Sequence, residues 1–162
     1  MYSIDFNKPL YIHFIGIGGI SMSGLAQILL EEGFTISGSD SKKSELTLQL
    51  AELGAKIYYG QRASNISKEI ELVVYTAAVK EDNPEYIAAK ELNIPILTRA
   101  QLLGQIMSNY HTSIGVSGTH GKTTTTSMIS LILEKNGFDP TVIIGGELND
   151  IGGNATLGRG EY

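Results

Sequence analysis

Residues 115 to 126, Gly115-Val-Ser-Gly-Thr-His-Gly-Lys-Thr-Thr-Thr-Thr126, leave an apolar run, turn through glycines and enter a helix that carries Lys122. Small residues at a strand-to-helix turn let successive backbone N–H groups converge on an anion at the helix start. Lys122 adds a full positive charge there, and the Thr123 hydroxyl is placed to ligate Mg²⁺. The usual P-loop spacing, Gly-x-x-x-x-Gly-Lys-[Ser/Thr], would need glycine at 116, where this chain has Val116. The loop is therefore a shorter variant, Gly118-Thr119-His120-Gly121-Lys122-Thr123. A plain Gly/Thr-rich turn is the alternative reading of the same residues.

Around this loop, short β-branched apolar runs alternate with segments of helical periodicity, the pattern of a parallel sheet covered by helices. Strands are expected near 11–16, 34–38, 56–59, 71–76, 94–97, 112–117 and 141–145. The first helix, about Ile20 to Glu32, puts Met22, Leu25, Ala26, Ile28 and Leu29 on one broad face and stops at Gly33, a left-handed C-cap position. Gly54 and Gly137 repeat that punctuation. Pro84 suits the first turn of a helix through Glu91, and Arg99 to Ser108 reads as another. The polar stretch Ser108-Asn-Tyr-His-Thr112 marks a boundary. The reading is a Rossmann-like parallel sheet domain over 1–108, followed at 109–162 by the first part of a P-loop-type ATP-binding α/β domain.

The motif of strand, glycine turn and helix also occurs earlier. Gly16-Ile-Gly-Gly-Ile-Ser21 follows the apolar run Tyr11-Ile-His-Phe-Ile15 and opens a helix, the context of a pyrophosphate-binding turn. Gly16 permits the tight turn and Gly18 the close approach of a diphosphate; Gly19, Ile20 and Ser21 lead into the helix. Asp40, at the end of the second strand, stands where an acid accepts hydrogen bonds from a ribose. Thr76, in the loop Tyr75-Thr-Ala-Ala-Val79, lies at the same carboxyl edge, where ligands of open α/β sheets collect. These glycines could instead only tighten a turn, and Asp40 could cap the next helix.

Composition narrows the function classes. The chain has 162 residues, 42% of them hydrophobic, enough for one sizeable core or one domain and part of another. A net charge of -5, with Lys122, Lys135 and Arg159 the only bases after residue 110, argues against nucleic acid. There is no cysteine, hence neither a disulfide framework nor a thiolate metal site. No run approaches the length of a membrane span, and a cytoplasmic protein is the expectation. His13, His111 and His120 are too scattered for metal-ligand spacing; His120 alone invites a general-base role.

A nicotinamide dehydrogenase needs only the first glycine turn, and a simple nucleoside-triphosphate enzyme only the second. Two turns suggest two nucleotides, one attached to a substrate and one ATP. The chain resembles the Mur ligases of peptidoglycan synthesis over nearly its whole length, with the motifs in the family order. They are Ile12-His-Phe-Ile-Gly-Ile-Gly-Gly-Ile-Ser-Met-Ser-Gly24, Gly38-Ser-Asp40, Asp82-Asn-Pro-Glu85, Arg99-Ala-Gln-Leu-Leu103, Gly118-Thr-His-Gly-Lys-Thr-Thr-Thr-Thr126 and Leu148-Asn-Asp-Ile-Gly-Gly-Asn-Ala-Thr-Leu-Gly158. The histidine form Thr119-His120-Gly121 is similar to the alanine-adding branch. Ser21 departs from the pattern, standing where the family usually has glycine.

The resemblance implies an ATP-dependent amide synthesis joining L-alanine to UDP-N-acetylmuramate through an acyl phosphate. It implies Lys122 on the β- and γ-phosphates as the catalytic residue, Thr123 on Mg²⁺, and Gly118, Thr119, His120, Gly121 and Thr124 in the nucleotide cradle. Gly16, Gly18, Gly19, Ile20, Ser21, Asp40 and Thr76 would face the UDP group. It sets Gly145-Gly-Glu-Leu-Asn149 and Asn154 in loops near the muramyl substrate. It further implies that the chain is an N-terminal fragment, inactive by itself and prone to self-association through an unfinished second domain. An NAD-binding oxidoreductase and a non-catalytic nucleotide-binding module are the competing classes.

Overall fold

The computed structural model describes residues 2–148 and 153–162. Strands β1 (Tyr11–Ile15), β2 (Thr35–Asp40), β3 (Lys56–Tyr59), β4 (Leu72–Tyr75) and β5 (Ile96–Thr98) form one sheet in the order β3-β2-β1-β4-β5. All four pairings are parallel, so the chain crosses the sheet faces through α1 (Ile20–Glu31), α2 (Glu45–Glu52) and α3 (Pro84–Glu91). Helix α4 (Arg99–Ser108) follows β5 and packs against β4 and β5. The reversal of strand order on either side of β1 opens a crevice at the carboxyl edge, between the ends of β1, β2 and β4.

β1 is central, and its Ile12, Phe14 and Ile15 are fully buried. A strand covered on both faces has no need of polar alternation, which is why Tyr11–Ile15 reads as one apolar run. Burying each such side chain contributes about 1.5–3 kcal/mol. α1 packs Met22, Leu25, Ala26, Ile28 and Leu29 into the core and ends before Gly33, whose φ of +89° matches the expected left-handed C-cap.

After α4 follow α5 (Lys122–Lys135) and a separate two-stranded sheet of β6 (Val142–Leu148) and β7 (Gly153–Thr156). Here the strand expectations need correction. Residues 113–117 form no strand, because apolar β-branched residues favour one locally but a strand also requires a laterally paired backbone. At the edge of this segment, Thr112 N–H donates to the Glu161 carbonyl at 3.0 Å, and no ladder continues beyond it. The run at 141–145 does form a strand, but β6 pairs antiparallel with β7, a strand that its glycine-rich sequence conceals. On α5, Met128 and Ile132 are each 61% exposed. Among the described residues no helix is long and apolar enough to cross a membrane.

β6 and β7 lie against α1. Asn154, 4% exposed, donates through Nδ2 to the Ile20 carbonyl and to Ser23 Oγ, the latter at 3.2 Å. A Cβ on Gly24 would come within 3.1 Å of the Ala155 Cβ and 3.2 Å of Asn154 Nδ2, so glycine is what lets β7 approach the helix.

Candidate nucleotide sites

Helix N-termini leave backbone N–H groups without intrahelical acceptors, and the usual remedy is a side-chain cap. α2 has a capping box of Ser44 and Thr47, α3 is capped by Asn83, and α4 has a box of Thr98 and Gln101. α1 and α5 differ. Each starts on a glycine, Gly19 and Gly121, with no side-chain cap and no acid in the first turn. Those are the helices that follow the two glycine turns, and both leave amide donors free for an external anion.

At the first turn the chain folds tightly under Ser39. Gly16, at φ +84°, and Ile17 both donate their N–H groups to the Ser39 carbonyl, at 2.8 and 3.0 Å. Gly18 N–H donates to Asp40 Oδ2 at 2.9 Å. A Cβ on Gly18 would sit 2.8 Å from that oxygen and 2.9 Å from Thr47 Cγ2. The need for glycine at 18 therefore already follows from the approach of β2 and α2. Gly38 is equally constrained, since a Cβ there would meet Ile17 Cβ at 2.7 Å.

Thr76 follows β4 at the start of a small turn, its Oγ1 accepting from Ala78 N–H at 3.1 Å. Gly16, Asp40, Thr76, Ser41, Gln61 and Asn83 line one open cleft at the carboxyl edge. Gly19, Ile20 and Ser21 form the adjoining start of α1. Arg99, which has no role among the residues expected from the sequence, also stands at this edge. It opens α4, and its Nη1 donates to Ser21 Oγ at 2.9 Å, bringing a guanidinium to the positive end of α1. A cation there is unfavourable alone and becomes favourable once a diphosphate joins it. The legible signal was an arginine at the end of a strand on the ligand-binding edge. Ser21 serves as the anchor for that arginine.

Under the cleft lies a second group that the sequence did not disclose. His13 Nδ1 and Ser37 Oγ are hydrogen-bonded at 2.8 Å, and the fully buried Glu85 accepts from Ser39 Oγ at 2.5 Å and Asn65 Nδ2 at 2.6 Å. His13 Nε2 lies 3.7 Å from Glu85 Oε2, in ion-pair range but beyond a hydrogen bond. Burial pushes the Glu85 carboxyl up, but the contacts from His13, Ser39 and Asn65 outweigh it and hold the group below its ordinary value.

In the second turn Gly121 adopts φ +77°, and α5 starts at Lys122, with Thr125 N–H the first donor to return, to the Gly121 carbonyl at 2.9 Å. Lys122, Thr123 and Thr124 thus present unreturned amides beside Gly118, Thr119 and Gly121. Lys122 Nζ folds back to donate to the Gly118 carbonyl at 2.6 Å. The ammonium is held above its own loop, on a bond that a phosphate oxygen can replace. Thr123 lies near β6, where a Cβ on Gly146 would approach its Cγ2 to 3.2 Å. His120 is exposed and has no side-chain hydrogen bond among the described residues, while Asn149 lies outside them. Asn154 lies in β7 rather than in a loop, and its amide nitrogen donates to α1. No cluster of three or more metal-ligating side chains occurs among the described residues. No hydrogen bond among the described residues joins Gly16–Ser21, Asp40 or Thr76 to Gly118–Thr124.

Comparison with known proteins gives concordant results. Residues 11–111 match the model described as "Mur ligase family, catalytic domain". A UDP-N-acetylmuramate--L-alanine ligase of Agathobacter rectalis is 67% identical over all 162 residues, and one of Acetivibrio thermocellus is 62% identical over 159. The chain spans about a third of the length of these relatives, 35% and 34%. The crystal structure of the UDP-N-acetylmuramate-alanine ligase of Thermotoga maritima matches 94% of this chain and 36% of its own, with a TM-score of 0.88 at 36% identity. A Neisseria UDP-N-acetylmuramate:L-alanyl-gamma-D-glutamyl-meso-diaminopimelate ligase matches 95% of this chain and 49% of its own, with a TM-score of 0.85 at 35% identity.

Proposed function

The chain belongs to the Mur ligase family, and we propose on that footing that it carries the nucleotide-sugar site and the phosphate loop of an ATP-dependent ligase joining L-alanine to UDP-N-acetylmuramate. The observation that carries the reading is the pair of uncapped helix starts, α1 and α5, each following a glycine turn and free of acids. The identity to alanine ligases supports the choice of substrate. We place the division between the two units near residue 108, after α4.

In this reading the diphosphate of the sugar nucleotide meets the amides of Gly19, Ile20 and Ser21 and the Arg99 guanidinium. Asp40 and Thr76 line the cleft that takes the nucleoside. The lactyl carboxylate attacks the γ-phosphorus of ATP, ADP leaves, and the alanine amine then displaces phosphate from the acyl carbon. Two anions must approach each other, so neutralisation is the central requirement. Lys122 would exchange the Gly118 carbonyl for β- and γ-phosphate oxygens, while the first-turn amides of α5 hold the same tail. The Thr123 hydroxyl is the ligand this segment offers to Mg²⁺, which when bound supplies further neutralisation of the phosphates. Glycines, unreturned amides and the absence of first-turn acids fit such a polyanion. A cytoplasmic site of action accords with both nucleotide substrates.

Calorimetric titration of the chain with UDP-N-acetylmuramate and, separately, with Mg-ATP tests the proposal. Saturable binding of each at independent sites is expected. Binding of NADH in competition with UDP at the first site, with no response to the muramyl nucleotide, would favour an oxidoreductase instead.

A further inference from the structure

Glu85 is a charged group sealed beneath the cleft, where an aliphatic side chain would pack α3 against the sheet without desolvating a carboxylate. A buried carboxylate persists only where its hydrogen bonds and countercharges compensate, and the bonds it makes here lead upward to the ligand-binding edge. Through Oε2 it receives the Ser39 hydroxyl, and the Ser39 carbonyl in turn receives both Gly16 and Ile17 N–H groups. Through Oε1 it receives Asn65 Nδ2, which also donates to the Gly60 carbonyl at 3.0 Å. Gly60 N–H donates to the Asp40 carbonyl at 2.8 Å. One carboxylate therefore fastens both backbone flanks of Asp40, whose own side chain holds Gly18 N–H. The same segment of α3 grips the cleft once more, as Asn83 Nδ2 donates to Gln61 Oε1 at 2.6 Å.

We infer that Glu85 is a positioning residue of the nucleotide cleft, holding Ser39 and Asn65 from below and through them fixing where Asp40 and the Gly16–Gly18 turn stand toward the ligand. This rests on reading that cleft as the nucleotide-sugar site. Glutamine at 85 would keep the shape but remove the charge, so the bond from Asn65 becomes a neutral one and the Ser39 hydroxyl has to reverse and accept from the new amide, which weakens both arms of the clamp.

The test combines site-resolved amide exchange by NMR with calorimetric titration by UDP, on wild type and E85Q. E85Q is expected to exchange at least tenfold faster at Gly60, Gly16 or Ile17, with β6 and β7 unchanged, and to bind UDP at least tenfold more weakly. Unaltered exchange at all three amides would overturn the inference, whether or not UDP binds. Faster exchange at these amides in a protein whose wild type ignores UDP would uphold the clamp and refute the ligand. If E85Q does not fold, Asn65→Ala and Ser39→Ala each cut one arm. Faster exchange confined to Gly60 in the first and to Gly16 and Ile17 in the second supports the clamp; uniform loosening of the sheet in both overturns it.

Discussion

Gly18 donates its amide to the Asp40 carboxylate at 2.9 Å, so the turn that would receive a diphosphate is fastened to the residue that ends β2. The contact leaves no room for a side chain at 18. Gly18→Ala would push Asp40 Oδ2 and Thr47 Cγ2 from distances of 2.8 and 2.9 Å. The expected outcome is a loss of stability of about 1–3 kcal/mol, read from urea unfolding, and a UDP affinity reduced by about tenfold or more, equal to about 1.4 kcal/mol.

Lys122 is exposed, and its one strong contact is with the loop it belongs to. Lys122→Ala is therefore expected to change unfolding free energy by less than about 0.5 kcal/mol. Mg-ATP binding should weaken by about 1.5–3 kcal/mol, the worth of a charged hydrogen bond. Calorimetry on the variant checks the affinity, and an unchanged Kd would remove Lys122 from the phosphate site.

Arg99 and Ser21 make the corresponding prediction for the first site. Arg99→Ala should weaken UDP more than uridine, because the guanidinium stands at the start of α1, where the diphosphate is expected. A tenfold or greater loss for UDP, about 1.4 kcal/mol, with uridine unaffected is the expected pattern in parallel titrations. Equal losses for both ligands would place the arginine elsewhere.

Asn154 and Gly24 hold β7 on α1. Asn154→Ala removes the amide that ties β7 to the Ile20 carbonyl and Ser23 Oγ, which keep their own bond at 2.9 Å, so the cost is that of ordinary hydrogen bonds, about 0.5–1.5 kcal/mol. Faster amide exchange across β6 and β7, with β1 and β4 protected as before, is the expected signature. Uniform protection in the variant would show that the second unit is held by other contacts.

The Glu85 carboxyl is held below its ordinary value in the fold. Between that value and the unfolded one, about 4.3, the unfolded chain binds more protons, so stability rises with pH there. The contribution is complete above the unfolded value and is lost as pH falls through the folded one. Wild type is expected to lose urea resistance as pH drops below about 5, and E85Q to show a shallower loss over the same range. Parallel slopes for the two proteins would assign the acid sensitivity to other groups.

Periodicity and glycine placement in the sequence determined most of the first unit. An apolar run at Tyr11–Ile15, a helix stopped by Gly33, Pro84 and the Arg99–Ser108 segment are local signals. Their physical causes, two-sided burial, left-handed caps and a fixed proline φ, act within a few residues. The two glycine turns were legible for the same reason. What only the tertiary structure decided were the relationships between distant segments. Residues 113–117 are strand-like in type but make no ladder among the described residues, while Gly153–Thr156 lacks such residues and is a strand because β6 lies beside it. Arg99 reaches Ser21 and Glu85 lies under Asp40 because the parallel crossovers bring the ends of β1, β2, β4 and β5 to one edge, and Asn154 turns toward α1 because β7 packs on that helix. Hydrogen-bond partners set by chain crossing have no periodicity, and so leave no local trace in the order of the residues.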